Sequence, residues 1–321
     1  MSRLTLTKTA EILLSKDNIL VLCHRYPDGD TIGSAFALCR ALRKLGKKAN
    51  VMCGDIFPSV YSYIYSDFEQ LDMKESFIVA VDVADKSLLG ILEKPYGGKV
   101  DLCIDHHGSN GFYAKDTYVD ASSASTGEII WSLLPKLGVE ADKDIANAIY
   151  TAISTDTGCF KYSNTTAKTF RTAAKLVDIG ADVAKINTLM FDTMSMGRLK
   201  LERAALDSMR FYCGGKIASI ALTAQMFEES GASEGDLEGL SSLARKVEGV
   251  IVGVFVRDTG AGYKISVRTH QPANACEICK QFGGGGHNAA AGGFIKAHSI
   301  DEAVDMVINA AAKHIGEEYV G

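Results

Sequence analysis

The stretch Ile104-Asp105-His106-His107-Gly108 decides how the rest of the chain is interpreted. It continues Val100-Asp101-Leu102-Cys103, an apolar run whose length and β-branching are typical of a buried strand. Packing gives no reason for a strand to end in one acid and two adjacent imidazoles. Carboxylates and imidazoles are ligands of divalent metals such as Mn²⁺. The stretch therefore predicts a metal site at the end of a strand.

Two further apolar runs end in the same kinds of side chain. Residues 18–23 predict a buried strand that leads into HRYPDGD, and residues 76–81 predict another that ends next to an acid. Ligand sites of open parallel sheets lie at the carboxyl ends of the strands, so we expect these side chains at one edge. The acids and imidazoles that the three runs supply are His24, Asp28, Asp30, Asp82, Asp105, His106 and His107.

Composition limits the class of protein. The 321 residues suffice for two domains, and 47% apolar with 23% charged residues is ordinary for a soluble globular protein. The formal charge of −5 argues against a protein that coats long nucleic acid, but it allows a short nucleotide at a metal site. The beginning of the chain does not resemble a signal peptide, and no apolar run has membrane-spanning length, so we predict a cytoplasmic protein without a membrane partner.

Alternating strands and helices predict the fold of residues 1–190. A helix over 31–45 with one apolar face precedes a short strand over 50–53, which completes a βαβ unit. A later helix over 144–154 leads into STDTG and supplies Asp156 as a further acid. We therefore predict an α/β fold, with a Rossmann-like parallel sheet flanked by helices.

One helix carries explicit signals at both of its ends. Ser125 and Glu128 have the spacing of a capping box, in which each residue's side chain bonds the other's backbone amide. Gly138 is a typical helix stop. These signals predict a helix from Thr126 to Leu137.

The second half of the chain predicts a smaller α/β domain that binds substrate. We predict a helical connector over 191–212 and this domain over 213–321, because no linker-like composition separates the halves. Alternation along 263–269 places Arg268 on the polar face of a strand, free to bind an anion. The glycine run before His287 permits close approach of a ligand to the main chain, which predicts a substrate loop rather than a linker.

The predicted ligands are too many for one structural ion. Two divalent ions about 3.5–4 Å apart clamp a phosphate and activate water at neutral pH. Oxygen ligands with one or two imidazoles suit Mn²⁺, with Mg²⁺, Co²⁺ or Fe²⁺ as alternatives. Cys276 and Cys279 have no second pair at ligand spacing, so structural zinc is not predicted.

The motifs HRYPDGDTIGS, VDVAD, IDHHGS, STDTG and GGGGHNAAAGG, in this order, resemble the DHH phosphoesterase family of the RecJ-like superfamily. The resemblance covers nearly the whole chain, and the glycine motif resembles the DHH-associated C-terminal domain. Within the family the chain looks most like the oligoribonuclease (nano-RNase) and 3′-phosphoadenosine 5′-phosphate phosphatase branch. One departure is Ala152, where the family often has glycine; we expect it to matter little.

The resemblance implies roles for individual residues. One Mn²⁺ would be held by His24, Asp28 and Asp82, with Asp82 as the bridge to the second ion. Asp105 would orient its neighbours, and His107 would contact the scissile phosphate or help the leaving oxygen depart. The active site is expected in the cleft between the domains. The ligands implied for the second Mn²⁺ are Asp30, Asp82, His106 and Asp156; the implied substrate residues are Arg268, Gly284, Gly285, Gly286 and His287.

The implied activity is Mn²⁺-dependent hydrolysis of short oligoribonucleotides to mononucleotides, together with conversion of 3′-phosphoadenosine 5′-phosphate to AMP. A phosphodiesterase for cyclic di-AMP or linear pApA is the alternative on the same two domains. An inorganic pyrophosphatase would lack the glycine motif, and a RecJ-like DNA exonuclease would need a longer and more basic chain. The intact set of acids argues against a non-catalytic nucleotide-binding regulator, because such a protein would not need to retain every one of them. The sequence leaves the oligomeric state open, with a homodimer among the options.

Overall fold

The computed structural model describes residues 2–237 and 239–319. The chain divides between Thr193 and Met194 into two compact units. Most of the predicted connector, 191–212, belongs to the second unit, so a separate connector remains a prediction. The predicted domain limits at residues 1 and 321 lie outside the described residues.

The first unit is built on one parallel sheet. Its strand order is β1-β6-β5-β4-β2-β3, and every neighbouring pair is parallel. The central strands are buried along their whole length, which explains why they are near-continuous apolar runs. The strands are β1 (Ser2–Arg3), β2 (Ile19–Leu22), β3 (Ala49–Met52), β4 (Phe77–Val81), β5 (Leu102–Asp105) and β6 (Asp116–Val119). The predicted parallel α/β fold is confirmed.

Helices precede, connect or follow these strands along the chain. They are α1 (Leu6–Ser15), α2 (Gly29–Lys44), α3 (Ser62–Tyr65), α4 (Glu93–Tyr96), α5 (Thr126–Leu137), α6 (Lys143–Asp156), α7 (Ala167–Ile179) and α8 (Val183–Asn187). Helix α5 has the predicted bounds, with Ser125 Oγ accepting from the Glu128 amide at 3.2 Å. The second bond of the predicted capping box differs, because Glu128 Oε2 accepts from the Ala124 amide at 3.0 Å.

Small residues bring α2, α5 and α6 close together. A Cβ atom on Gly33 of α2 would lie 2.2 Å from the carbonyl oxygen of Ala148. A Cβ atom on Gly127 of α5 would lie 2.4 Å from the Cβ of Ala152. The methyl group of Ala152 therefore fills the space that these glycines leave, and the three helices hold one another in a fixed position.

The second unit is a mixed sheet with helices. Its strand order is β11-β12-β10-β9-β8-β7, in which only β8 and β9 are parallel among the described pairs. Its strands are β7 (Arg210–Tyr212), β8 (Ile217–Leu222), β9 (Val252–Asp258), β10 (Tyr263–Thr269), β11 (Gly285–His287) and β12 (Ala290–Ile295). Its helices are α9 (Met196–Asp207), α10 (Ala224–Ser230), α11 (Ala275–Lys280) and α12 (Ile300–Ile315). The glycine run, predicted as a loop, contributes instead the short edge strand β11.

The helices in the described part of the chain are short. The longest, α2 and α12, have 16 residues each, whereas crossing a bilayer takes about 20 apolar residues. Among the described residues, no helix has the length and apolarity of a membrane span. The cytoplasmic location stays a prediction.

Candidate functional site

The carboxyl ends of β2, β4 and β5 lie side by side because these strands are neighbours in the sheet. Strand β2 leads to His24, β4 to Asp82, and β5 ends in Asp105 before the two adjacent imidazoles. Helix α2 starts beside them, and α6 ends there with Asp156. This is the edge at which open parallel sheets bind ligands.

A first cluster surrounds His24. Its Nε2 atom lies 3.5 Å from Asp28 Oδ1 and 3.6 Å from Asp82 Oδ2. Two ligands about 2.1 Å from a shared ion can lie up to about 4.2 Å apart, so these separations fit a common divalent ion. His24, Asp28 and Asp82 therefore make one potential ligand set.

A second cluster surrounds His106. Its Nε2 atom is 3.7 Å from each of three carboxylate oxygens, on Asp30, Asp82 and Asp156. This nitrogen is buried and has no hydrogen-bond partner among the described residues. Leaving a buried polar atom unpaired is costly, and coordination to a metal removes that cost. Asp82 contributes Oδ1 here and Oδ2 to the first cluster, so its carboxylate joins the two.

The electrostatics of the site also fit a cation. Burial, reinforced by the charges of Asp82 and Asp156, raises the pKa of Asp30 well above its usual range. Burial also raises the pKa of Asp82, and it raises that of Asp156 to about 6. For His24, burial would lower the pKa, but hydrogen bonds to Asp28 and Asp82 raise it to about 11. Crowded carboxylates therefore retain protons that a divalent ion would replace.

Helix α5 holds two of the acids in place. The backbone amides of Thr126 and Gly127, at the start of α5, donate to the two oxygens of Asp30 at 2.8 and 2.9 Å. The hydroxyl of Thr126 donates to Asp82 Oδ1 at 2.9 Å. The helix N-terminus favours negative charge, so α5 orients both carboxylates towards the cluster.

His107 is held by a separate chain of hydrogen bonds. Its Nδ1 atom lies 2.8 Å from Asp105 Oδ1, and Asn110 Nδ2 donates to Asp105 Oδ2 at 2.6 Å. The hydrogen bond to Asp105 outweighs burial and raises the pKa of His107 to about 9. Asp105 is fully buried, whereas the His107 side chain is 45% exposed. The buried Asp105 therefore fixes the orientation of the His107 ring, while part of the ring stays accessible to a ligand.

Four residues of this site were missed in the sequence. Thr126 and Asn110 bond the acids as described, Ser34 Oγ donates to Asp30 Oδ1 at 3.1 Å, and Asn164 Nδ2 lies 3.3 Å from Asp156 Oδ2. Asn110 follows the two imidazoles by three residues, a spacing that could have suggested it. Neither periodicity nor spacing marks Ser34 or Asn164.

The predicted substrate residues lie in the second unit. Arg268 of β10 pairs with Ala290 of β12, which pairs in turn with His287 of β11. Directly paired residues share one face of a sheet, so Arg268 and His287 face the same way. Gly284 and Gly286 are needed for packing, since a Cβ would lie 2.3 Å from Gly292 O or 2.6 Å from Ala290 O. Gly285 has open space around its Cβ position.

Comparison with known families agrees with this arrangement. Residues 18–153 match the DHH family, N-terminal domain, and residues 216–313 match the DHHA1 domain. A Thermus thermophilus protein named bifunctional oligoribonuclease and PAP phosphatase NrnA is 35% identical over 95% of this chain and 93% of its own. The chain belongs to the DHH family of phosphoesterases.

Solved structures share the fold of this DHH protein. An exopolyphosphatase-related protein from Bacteroides fragilis superposes with a TM-score of 0.87 at 25% identity, covering 96% of each chain. RecJ from Thermus thermophilus in complex with Mn²⁺ superposes with a TM-score of 0.58 at 16% identity, covering 96% of this chain and 55% of that one. The RecJ likeness concerns the fold alone.

Proposed function

We propose that this DHH phosphoesterase hydrolyses short oligoribonucleotides, of about two to five nucleotides, to mononucleotides and converts 3′-phosphoadenosine 5′-phosphate to AMP. One observation carries the proposal: Asp82 places one carboxylate oxygen in each of two clusters of potential metal ligands. The name of the Thermus thermophilus relative, bifunctional oligoribonuclease and PAP phosphatase, supports the choice of substrates.

The residues that would hold two divalent ions divide into two sets that share Asp82. The first set is His24, Asp28 and Asp82; the second is Asp30, Asp82, His106 and Asp156. Mn²⁺ suits this mixture of carboxylates and imidazoles, with Mg²⁺ or Co²⁺ as substitutes. When bound, such a pair neutralises phosphoryl charge and lowers the pKa of water so that it can attack phosphorus.

The remaining residues of the site act on the substrate. Because Asp105 occupies Nδ1 of His107, the Nε2 atom is left to contact a phosphoryl oxygen. The hydrogen bond to Asp105 raises the pKa of His107 and so favours its protonated form, from which it can donate a proton to the leaving oxygen. Asn110 keeps Asp105 in position to maintain this orientation.

In this proposal the second unit recognises the rest of the substrate. Arg268 and His287, which share a sheet face, would bind a phosphate and ribose remote from the scissile bond. Gly284, Gly285 and Gly286 would present backbone to the ligand, and Gly285 has the most open surroundings of the three. The cleft location of the active site and a homodimer remain predictions.

A product assay tests the proposal. The Mn²⁺-loaded protein is incubated with a five-nucleotide RNA, pApA, 3′-phosphoadenosine 5′-phosphate and cyclic di-AMP, and the products are separated by chromatography. We expect mononucleotides from the RNA and pApA, and AMP from the bisphosphate. Efficient cleavage of cyclic di-AMP or pApA with the RNA left intact would favour the dinucleotide phosphodiesterase alternative. Failure to cleave any of them would refute both.

A further inference from the structure

A row of paired residues crosses the sheet of the second unit. Gly253 of β9 pairs with Arg268 of β10, which pairs with Ala290 of β12. Paired residues lie on the same face, and strands are about 4.8 Å apart. Arg268 therefore lies between two positions that carry almost no side chain.

A second arginine, Arg245, packs against the sheet at the position of Gly253. If Gly253 had a Cβ atom, it would lie 2.8 Å from the backbone nitrogen of Arg245 and 3.1 Å from its Cβ. Because Gly253 is the direct neighbour of Arg268, Arg245 lies beside Arg268 on the same face of the sheet. In agreement, burial and then the charge of Arg245 lower the pKa of Arg268.

Neither arginine has an acidic partner among the residues that the structure describes. Arg268 Nη1 bonds its own chain at Val267 O, at 3.2 Å. The Nε atom of Arg245 is buried and unpaired within the described part of the chain. In contrast, Arg198, Arg203 and Arg257 of the same unit each have a carboxylate within bridging distance.

An open pocket lies next to Arg245. It has a volume of about 300 Å³ and is lined by the segment 245–250 together with His270. The lining contributes the positive charge of Lys246 and one exposed acid, Glu248. Two adjacent, partly buried cations without a counter-ion repel each other, so bringing a doubly charged anion between them is favourable.

We propose that Arg245 and Arg268 together form a binding site for a terminal phosphate monoester of the substrate. A monoester carries up to two negative charges near neutral pH, whereas an internal phosphodiester carries one. The planar guanidinium binds phosphate oxygens through two parallel hydrogen bonds. The site thus selects nucleotides with a phosphorylated end. This inference rests on the proposed function and adds Arg245 as a residue that determines specificity.

The test compares pApA with ApA, which lacks the terminal phosphate, using the full-length Mn²⁺-loaded enzyme. Arg245→Met should lower kcat/KM for pApA by about tenfold or more, mainly through KM, and leave ApA nearly unchanged. Lys264→Met is the matched control, since Lys264 is an exposed cation on the same strand and face. The Lys264→Met substitution should change kcat/KM for pApA and for ApA by the same factor. Arg245→Lys should lower kcat/KM for pApA less than Arg245→Met does, because lysine keeps the positive charge but lacks the planar guanidinium.

Equal losses on pApA and ApA with Arg245→Met, in a variant with unchanged circular dichroism, would overturn the site. A binding measurement tests the phosphate site independently of catalysis. Binding of pApA to the chelator-treated full-length protein is measured by calorimetry for the parent, Arg245→Met and Lys264→Met. Weaker binding only in Arg245→Met supports the site even if no dinucleotide is hydrolysed. Equal affinities in all three would refute it.

Discussion

Asp82 is the residue on which the account of the site depends. It is 4% exposed, and its backbone lies in the left-handed region, with φ at 60°, which non-glycine residues seldom adopt. Such strain is often found at functional sites. The conformation directs one carboxylate oxygen to His24 and the other to His106. A carboxylate in this position serves both ligand sets at once.

Replacing Asp82 by asparagine should therefore abolish function without loosening the fold. We expect kcat to fall by about a thousandfold, because several kcal/mol of metal-dependent stabilisation is lost. Elemental analysis should find fewer than two ions per chain. In chelator, the variant should melt at a higher temperature than the parent, since one of the crowded carboxylates is gone. Asp178→Asn, at an exposed position on α7, is the control. A fully active variant with two ions would exclude the bridging role.

The shifted pKa values predict how the stability of the metal-free protein depends on pH. A group whose pKa is raised by folding stabilises the fold while it is protonated. The contribution of Asp156 to the free energy of unfolding is fully present below pH 3.8, its usual pKa, and is lost as the pH rises through about 6. Those of His107 and His24 are present below 6.5 and are lost as the pH rises towards 9 and 11.

Thermal melting in chelator should therefore show a Tm that falls steadily from about pH 5 to pH 9. With saturating Mn²⁺ the trend should reverse, because protons compete with the ion for the same atoms. A Tm that stays constant or rises with pH in chelator would contradict the raised pKa values of Asp156, His107 and His24.

At this scale the sequence predicted which acids and imidazoles meet. Each follows an apolar run or a helix, and parallel strands bring their carboxyl ends to one edge. Thr126, which bonds Asp82 from a distant part of the chain, could not be predicted, because its role depends on side-chain distances across the fold. Arg245 was missed for the same reason, since it meets Arg268 only through strand pairing and a glycine in β9.

At the scale of elements, the contact between α5 and α6 fixes the position of Asp30. Gly127 supplies an amide to Asp30, and its missing side chain makes room for the Ala152 methyl group. The expectation that alanine at 152 matters little is incomplete, because this methyl group requires glycine at 127. Sequence patterns predicted the bounds of α5 from its caps. They could not predict how closely α5 approaches α6.

A double-mutant cycle tests this packing. Gly127→Ala should destabilise the protein by about 1–3 kcal/mol, because the new methyl group overlaps that of Ala152. Combining it with Ala152→Gly should recover most of the loss, since the two positions share one space. Gly98→Ala, where a Cβ meets nothing within 4 Å, is the control. Chemical denaturation gives the four free energies. Strict additivity would mean that the two residues do not compete for space.

At the scale of the whole molecule, the candidate metal ligands and the proposed substrate residues lie in different units. The candidate metal ligands all lie in the first unit, and Arg268 and His287 lie in the second. The sequence predicted both halves from their motifs. It missed that the glycine run forms an edge strand, because four glycines carry no strand signal.

This division predicts different effects on large and small substrates. Arg268→Ala and His287→Ala should lower kcat/KM for the phosphorylated dinucleotide pApA by roughly 10- to 100-fold, which corresponds to one charge-assisted contact each. Bis(p-nitrophenyl) phosphate, which offers no second phosphate or nucleoside, should be hydrolysed almost normally, since remote contacts help only substrates that make them. Metal content should not change. Equal losses on both substrates would place these residues at the reacting phosphate.

A titration of the chelated protein with Mn²⁺ tests whether Asp82 joins two metal ions. Bound ions are counted by elemental analysis, pApA hydrolysis is followed in parallel, and electron paramagnetic resonance reports coupling between ions. We predict that activity reaches its plateau at two ions per chain with a coupled spectrum, and that Asp82→Asn abolishes the coupling. Full activity with one ion bound, or in excess chelator, would contradict a two-metal site joined by Asp82.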